Sequence, residues 1–140
     1  MAWRWAFIAW TLFVWLGRIR NAVGDPALDA GGRTGPILLS LSFVVPALLL
    51  AGMTTLQLAH RDDHRLARPV SLILAALVVW TAAVWVVRAV DIALRSDRGA
   101  AFIAVHLVLA TVSVGLGVMA VRADRRSPAP SAVAAGEAAS

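Results

Sequence analysis

The sequence predicts an all-α membrane protein with four transmembrane helices built from two parallel-repeat helical hairpins. Three observations lead there. Apolar residues make up 60% of the 140 and charged residues only 15%, a balance outside the soluble range. Four stretches reach the roughly twenty mostly apolar residues that a helix needs to cross a hydrocarbon core at about 1.5 Å per residue. A nine-residue phrase is written twice, as WTLFVWLGR at 10–18 and WTAAVWVVR at 80–88.

The first span is expected over residues 3–21. Only Arg4 precedes its apolar run, Trp10 and Trp15 are bulky, and no small-residue cleavage motif precedes Arg18. A retained span therefore fits better than a signal peptide. The second span is expected over 36–58, the third over 70–94 and the fourth over 100–121. Turn and cap residues fall between them: Gly24-Asp25-Pro26, Gly31-Gly32, Gly35-Pro36, Pro69 and Gly99. Residues 127–140 are small and Pro-bearing with nothing large to bury, which predicts a disordered cytoplasmic tail.

Five of the nine repeated positions are identical: Trp10 with Trp80, Thr11 with Thr81, Val14 with Val84, Trp15 with Trp85, and Arg18 with Arg88. A weaker echo pairs 58–65 with 119–126 at an offset of 61 instead of 70. A nine-residue insertion at 24–32 would reconcile the two offsets; the competing account is vocabulary that membrane helices share by chance. Two spans per copy return the chain to the side it started from. The copies then share one orientation about a pseudo-two-fold axis along the membrane normal, and short loops favour a four-helix bundle.

All thirteen basic residues are arginine and the formal charge is +5. On a soluble module that balance would point to nucleic acid. Here the arginines flank apolar stretches, where anionic lipid head groups and the insertion machinery account for them, so no nucleic-acid partner is expected. Seven arginines lie at Arg4, in the loop after the second span and after the fourth, against four in the opposite loops once Arg18 and Arg88 are assigned to helices. This places both termini in the cytoplasm. Richness in Ala, Arg, Val and Gly without lysine matches a GC-rich bacterial genome, hence a multi-pass protein of the bacterial plasma (inner) membrane. The absence of cysteine excludes disulfides, thiolate metal sites and thiol nucleophiles.

Thr11, Trp15 and Arg18 share one helical face, as do Thr81, Trp85 and Arg88, so each guanidinium is expected over an indole. Asp91 follows Arg88 by three and precedes Arg95 by four, with Asn21 and Asp25 at the matching places of the first helix. Arg88 lies six residues before the end of the third span and His106 six inside the fourth, a depth of roughly 9 Å. Arg18 and Ser42 fall near that level. Ionisable groups at such depth normally face a bundle or a wet cavity. The candidate site is therefore a polar pocket of Arg18, Arg88, Asp91 and His106 that holds an anion such as a lipid phosphate. Its competitor is a pair of snorkelling arginines that only lock the helices together.

Trp10, Trp15, Trp80 and Trp85 form a candidate aromatic lining; Trp10 and Trp80, nearer mid-span, suit core packing as well. His60 and His64 stand four apart, but two ligands are too few for a metal, and His106 has no in-membrane histidine opposite it for a haem. No metal or other cofactor is expected. Pro46 should bend the second helix. The spacings Ala47 to Ala51 and Ser113 to Gly117 permit close helix approach, within the bundle or toward a partner. No nucleophile–base set or phosphate loop appears, so no enzyme is expected. The leading expectation is a non-enzymatic accessory or interaction subunit, as a homo-oligomer or in a larger membrane complex, with membrane lipids, anionic ones included, as partners. The alternative is a small transporter or a lipid- or anion-binding membrane protein using the outer-leaflet Arg/His layer.

Overall fold

The computed structural model describes residues 1–60, 64–94 and 99–126, and every regular element among them is helical. In chain order these are α1 (Ala2–Gly24), α2 (Ala30–Ala59), a single 3-10 turn (His64–Leu66), α3 (Ala67–Leu94) and α4 (Ala100–Arg125). The expectations for Arg95, for the centre of the His60–His64 motif and for a disordered tail lie outside the described residues. By length and composition α2, α3 and α4 can each cross a membrane. α1 is not among those three, because Arg4, Arg18, Arg20 and four tryptophans dilute its apolar run.

The chief departure from expectation is the start of α2, which comes at Ala30 instead of residue 36. Asp29 is extended, at φ −74° and ψ 179°, and its side chain accepts the Gly32 N–H at 2.7 Å. The Arg33 N–H then donates to the Asp29 carbonyl at 3.1 Å and closes the first turn. Aspartate is among the best N-caps because it satisfies a donor that the helix cannot. A Cβ on Gly32 would lie 3.2 Å from the capping oxygen and 3.3 Å from Leu28 Cδ2. Glycine there lets the cap close, so Gly31-Gly32 and Gly35-Pro36 are helical and not turn residues. Pro36 and Pro46 both lie inside α2, each removing one N–H from its ladder.

This start corrects the proposed insertion. α2 and α4 begin at Ala30 and Ala100, seventy residues apart, as are Trp10 and Trp80. Burial keeps the same offset. Arg4, Phe7, Thr11 and Trp15 of α1 are buried, and so are Leu74, Leu77, Thr81 and Trp85 of α3. Phe43, Ala47 and Leu50 of α2 are buried, and so are Ser113, Gly117 and Ala120 of α4. No nine-residue insertion separates the halves, and the echo at offset 61 matches helix ends at unrelated positions.

The helices pack as a ring, α1 on α2, α2 on α3, α3 on α4, and α4 back on α1. Phe7, Ile8, Trp15, Phe43, Leu50, Leu74 and Leu77 fill its interior. Trp15 stacks on Phe43 with centroids 3.9 Å apart and planes 6° from parallel, and Phe43 reaches Trp80 at 6.0 Å. The small residues Ala47, Ser113 and Gly117 are buried in the ring, so they serve its own close packing.

Two hydrogen bonds from the matching tryptophans tie neighbouring helices together. Trp10 Nε1 donates to Ser113 Oγ at 2.9 Å, and Trp80 Nε1 donates to Ser42 Oγ at 3.0 Å. The first joins α1 to α4 and the second joins α3 to α2. Ser113→Ala and Ser42→Ala should therefore each destabilise the protein by about 0.6 kcal/mol, the usual worth of an interhelical hydrogen bond in a membrane protein. Reversible SDS unfolding in mixed micelles measures this; a variant without effect would show that its hydrogen bond contributes nothing to stability.

A polar clamp closes the end of the ring formed by the start of α1 and the end of α4. Arg4 Nη1 donates to Gln57 Oε1 at 2.9 Å, Arg4 Nη2 pairs with Asp124 Oδ1, and Ser71 Oγ donates to Asp124 Oδ2 at 2.5 Å. Each of the four helices contributes one residue. Arg4, counted from sequence as a flanking charge, is instead a buried residue of α1. Arg33, counted as a loop charge, lies in α2, where its Nη2 donates to the Asp25 carbonyl at 3.0 Å.

Candidate amphiphile-binding site

At the opposite end, α1 and α3 finish where α2 and α4 begin. Arg18 and Arg88 occupy equivalent places near the ends of α1 and α3, and His106 sits in the second turn of α4. Arg18, Arg88, Asp91 and His106 all line one cavity of about 330 Å³, together with Asn21 and Asp25. The site residues expected from the sequence are thus gathered, and Asp25 joins them. Ser42, expected near the same level, is engaged by Trp80 instead.

The two matching segments differ in how they hold their arginine. Arg18 Cζ lies 5.6 Å from the centroid of Trp15, the guanidinium–indole pairing expected for both. Arg88 instead has its Nη1 3.9 Å from Asp91 Oδ2, one turn on. A full carboxylate charge attracts a guanidinium more strongly than an indole face does, and α1 carries the neutral Asn21 at that place. Trp85 meets His106 edge-on, with centroids 6.4 Å apart at 71°. His106 Nδ1 lies 2.9 Å from the Phe102 carbonyl. A carbonyl only accepts, so Nδ1 carries the proton and Nε2 is the nitrogen that a ligand can use.

A second cavity of about 530 Å³ lies among α1, α3 and α4. Phe13, Trp15, Trp85 and Leu109 make its apolar wall, and among the described residues its charged wall holds Arg18, Arg20 and Arg88 with no acidic residue. Arg18, Asn21 and Arg88 line both cavities. An aromatic groove therefore leads to an arginine pair, and the arginine pair borders a mixed-charge pocket. Trp85 Nε1 is buried without a hydrogen-bond acceptor among the described residues, which costs about 1–3 kcal/mol where no partner is supplied.

The expected aromatic lining separates into two pairs. Trp15 and Trp85 line the groove, whereas Trp10 and Trp80 do not. Their N–H groups are committed to serines of neighbouring helices, and Trp80 joins Pro46 in an apolar cavity of about 390 Å³ between α2 and α3. The clamp of Arg4, Gln57, Ser71 and Asp124 was missed from sequence. One signal was present: Asp124 is the single acidic residue of α4, and a lone carboxylate on an apolar helix asks for a partner.

Among the described residues no group of three or more His, Cys, Asp or Glu could hold a metal ion. Paired guanidinium groups are suited to a phosphate or carboxylate, which they bind through charge-assisted, often bidentate hydrogen bonds. No curated protein and no solved structure matches the chain. Residues 64–128, which run from the 3-10 turn through α4, match the model of the SCO4848-like family, so the second hairpin is the part that is similar to that family.

Proposed function

We propose that the chain is a small, non-enzymatic, multi-pass protein of the bacterial plasma membrane that binds a phosphate-bearing membrane amphiphile where Arg18 and Arg88 meet. Four spans form a bundle of two parallel hairpins with both termini in the cytoplasm. The offset of seventy residues shared by the starts of α2 and α4, the ends of α1 and α3 and their buried positions supports the repeat. The place of α1 between α2 and α4 in the ring supports its reading as the fourth span. One observation carries the binding function: the same two arginines line both an apolar, aromatic groove and a polar pocket. A ligand with an alkyl tail and a phosphate-like head satisfies both at once.

Purification in a mild detergent followed by native mass spectrometry tests this. Wild-type protein should retain a lipid, and Arg88→Ala should weaken retention by about tenfold, the loss of one charge-assisted hydrogen bond. Equal retention by both proteins would sink the proposal. The second reading, an accessory or interaction subunit that self-associates or joins a larger complex, is favoured by α4. Only 11% of its most apolar window is buried, and Phe102, Val105, Leu107 and Val108 are exposed. In the same spectrum, a second polypeptide in fixed stoichiometry supports that reading.

A further inference from the structure

We infer that the amphiphile is an aminophospholipid whose primary ammonium is held by Asp25 and Asp91; this rests on the amphiphile reading above and specifies its ligand. The charges change in kind outward along the site. Among the described residues the groove beside Trp15 and Trp85 presents arginines and no acidic residue, which suits an acyl chain ending in a phosphate. Beyond the shared arginines the environment changes. The polar pocket adds the carboxylates of Asp25 and Asp91 to the guanidinium groups of Arg18 and Arg88.

A head group that is anionic to its distal end would bind the arginines but compete with Asp91 for Arg88 and meet the Asp25 carboxylate. A head group that alternates negative phosphate and positive amine matches the order of the wall. The spacing is short, since Asp91 Oδ2 lies 3.9 Å from Arg88 Nη1, so a phosphate on Arg88 and an amine on Asp91 must be close in one molecule. The two-carbon link of an ethanolamine head group meets that requirement. A primary ammonium offers three N–H donors to the carboxylates, whereas a trimethylated amine offers none.

The test uses full-length protein in nanodiscs of phosphatidylcholine, doped with phosphatidylethanolamine, phosphatidylcholine or phosphatidylglycerol carrying dibrominated acyl chains. Bromine quenches indole fluorescence on contact. Trp15 and Trp85 report on the groove, and a Trp15→Phe/Trp85→Phe protein gives the background from the other tryptophans. Brominated phosphatidylethanolamine should half-quench at a mole fraction about fivefold lower than the other two, the contribution of two partly exposed ion pairs.

Asp25→Asn/Asp91→Asn keeps the side-chain shapes, including the Asp25 oxygen that accepts the Ala27 N–H at 2.9 Å, and should abolish the advantage of phosphatidylethanolamine over phosphatidylglycerol. Gly17 lines the groove, and a Cβ there meets nothing within 4 Å. Gly17→Leu should therefore fill the groove and lower quenching by all three lipids, with the helix itself favoured by the change. Equal quenching by the ethanolamine and choline lipids, or an ethanolamine advantage that survives the Asn pair, overturns the aminophospholipid assignment. Quenching that still falls in Arg88→Gln then leaves the broader amphiphile reading standing. Quenching unchanged in both Arg88→Gln and Gly17→Leu removes both.

Discussion

Asp124→Ala should lower the stability of the protein by about 3–5 kcal/mol, the largest loss expected from any single substitution in the chain. The side chains of Arg4 and Asp124 are only 8% and 15% exposed. Removing the carboxylate leaves the Arg4 guanidinium buried with Gln57 as its remaining partner, and leaves the Ser71 hydroxyl without its acceptor. The penalty comes from the uncompensated charge, not from the worth of the pair. Arg4→Met/Asp124→Leu, which removes both charges and keeps apolar volume, should therefore recover most of the loss. Midpoints of SDS unfolding in mixed micelles decide it. A double variant as unstable as Asp124→Ala would show that the clamp matters for something other than charge balance.

Gly117→Leu should destabilise by about 1–3 kcal/mol, the usual cost of overpacking. A Cβ at this position would stand 3.0 and 3.1 Å from the two Val78 methyls and 3.3 Å from Phe7 Cε2. Neither neighbour can swing aside easily, because Val78 is β-branched and Phe7 is fully buried. A larger side chain must push α4 away from both α1 and α3. Gly115→Leu is the control, since nothing lies within 4 Å of a Cβ there and the substitution only improves helix propensity. The pair should differ in sign or nearly so in the same unfolding assay. Val78→Ala should relieve part of the Gly117→Leu defect, and a defect untouched by it would place the clash elsewhere.

The helical class, the helix order and the gathering of Arg18, Arg88, Asp91 and His106 were legible because they depend on local properties. Run length identifies the helices, and distance from a helix end sets depth. The start of α2 was misjudged because Gly31-Gly32 and Gly35-Pro36 carry strong turn signals, while the decisive feature, the Asp29 side chain reaching Gly32, needs only one aspartate in the right place. The false insertion had another source, the weak echo at offset 61, which the starts of α2 and α4 do not keep. The serine partners of Trp10 and Trp80 could not be read at all, since a hydroxyl on a facing helix leaves no trace in the periodicity of either strand of sequence. The preference of Arg88 for Asp91 over Trp85 was likewise hidden, because both sit three residues away and spacing alone cannot rank them.

The Arg4–Asp124 pairing spans 120 positions, and that separation bears on how the chain is made. At about 5–20 residues per second the ribosome needs on the order of ten seconds to deliver the aspartate after the arginine has emerged. Throughout that interval the Arg4 guanidinium lacks its carboxylate partner. Closure of the clamp, and with it final assembly of the ring, therefore waits on α4.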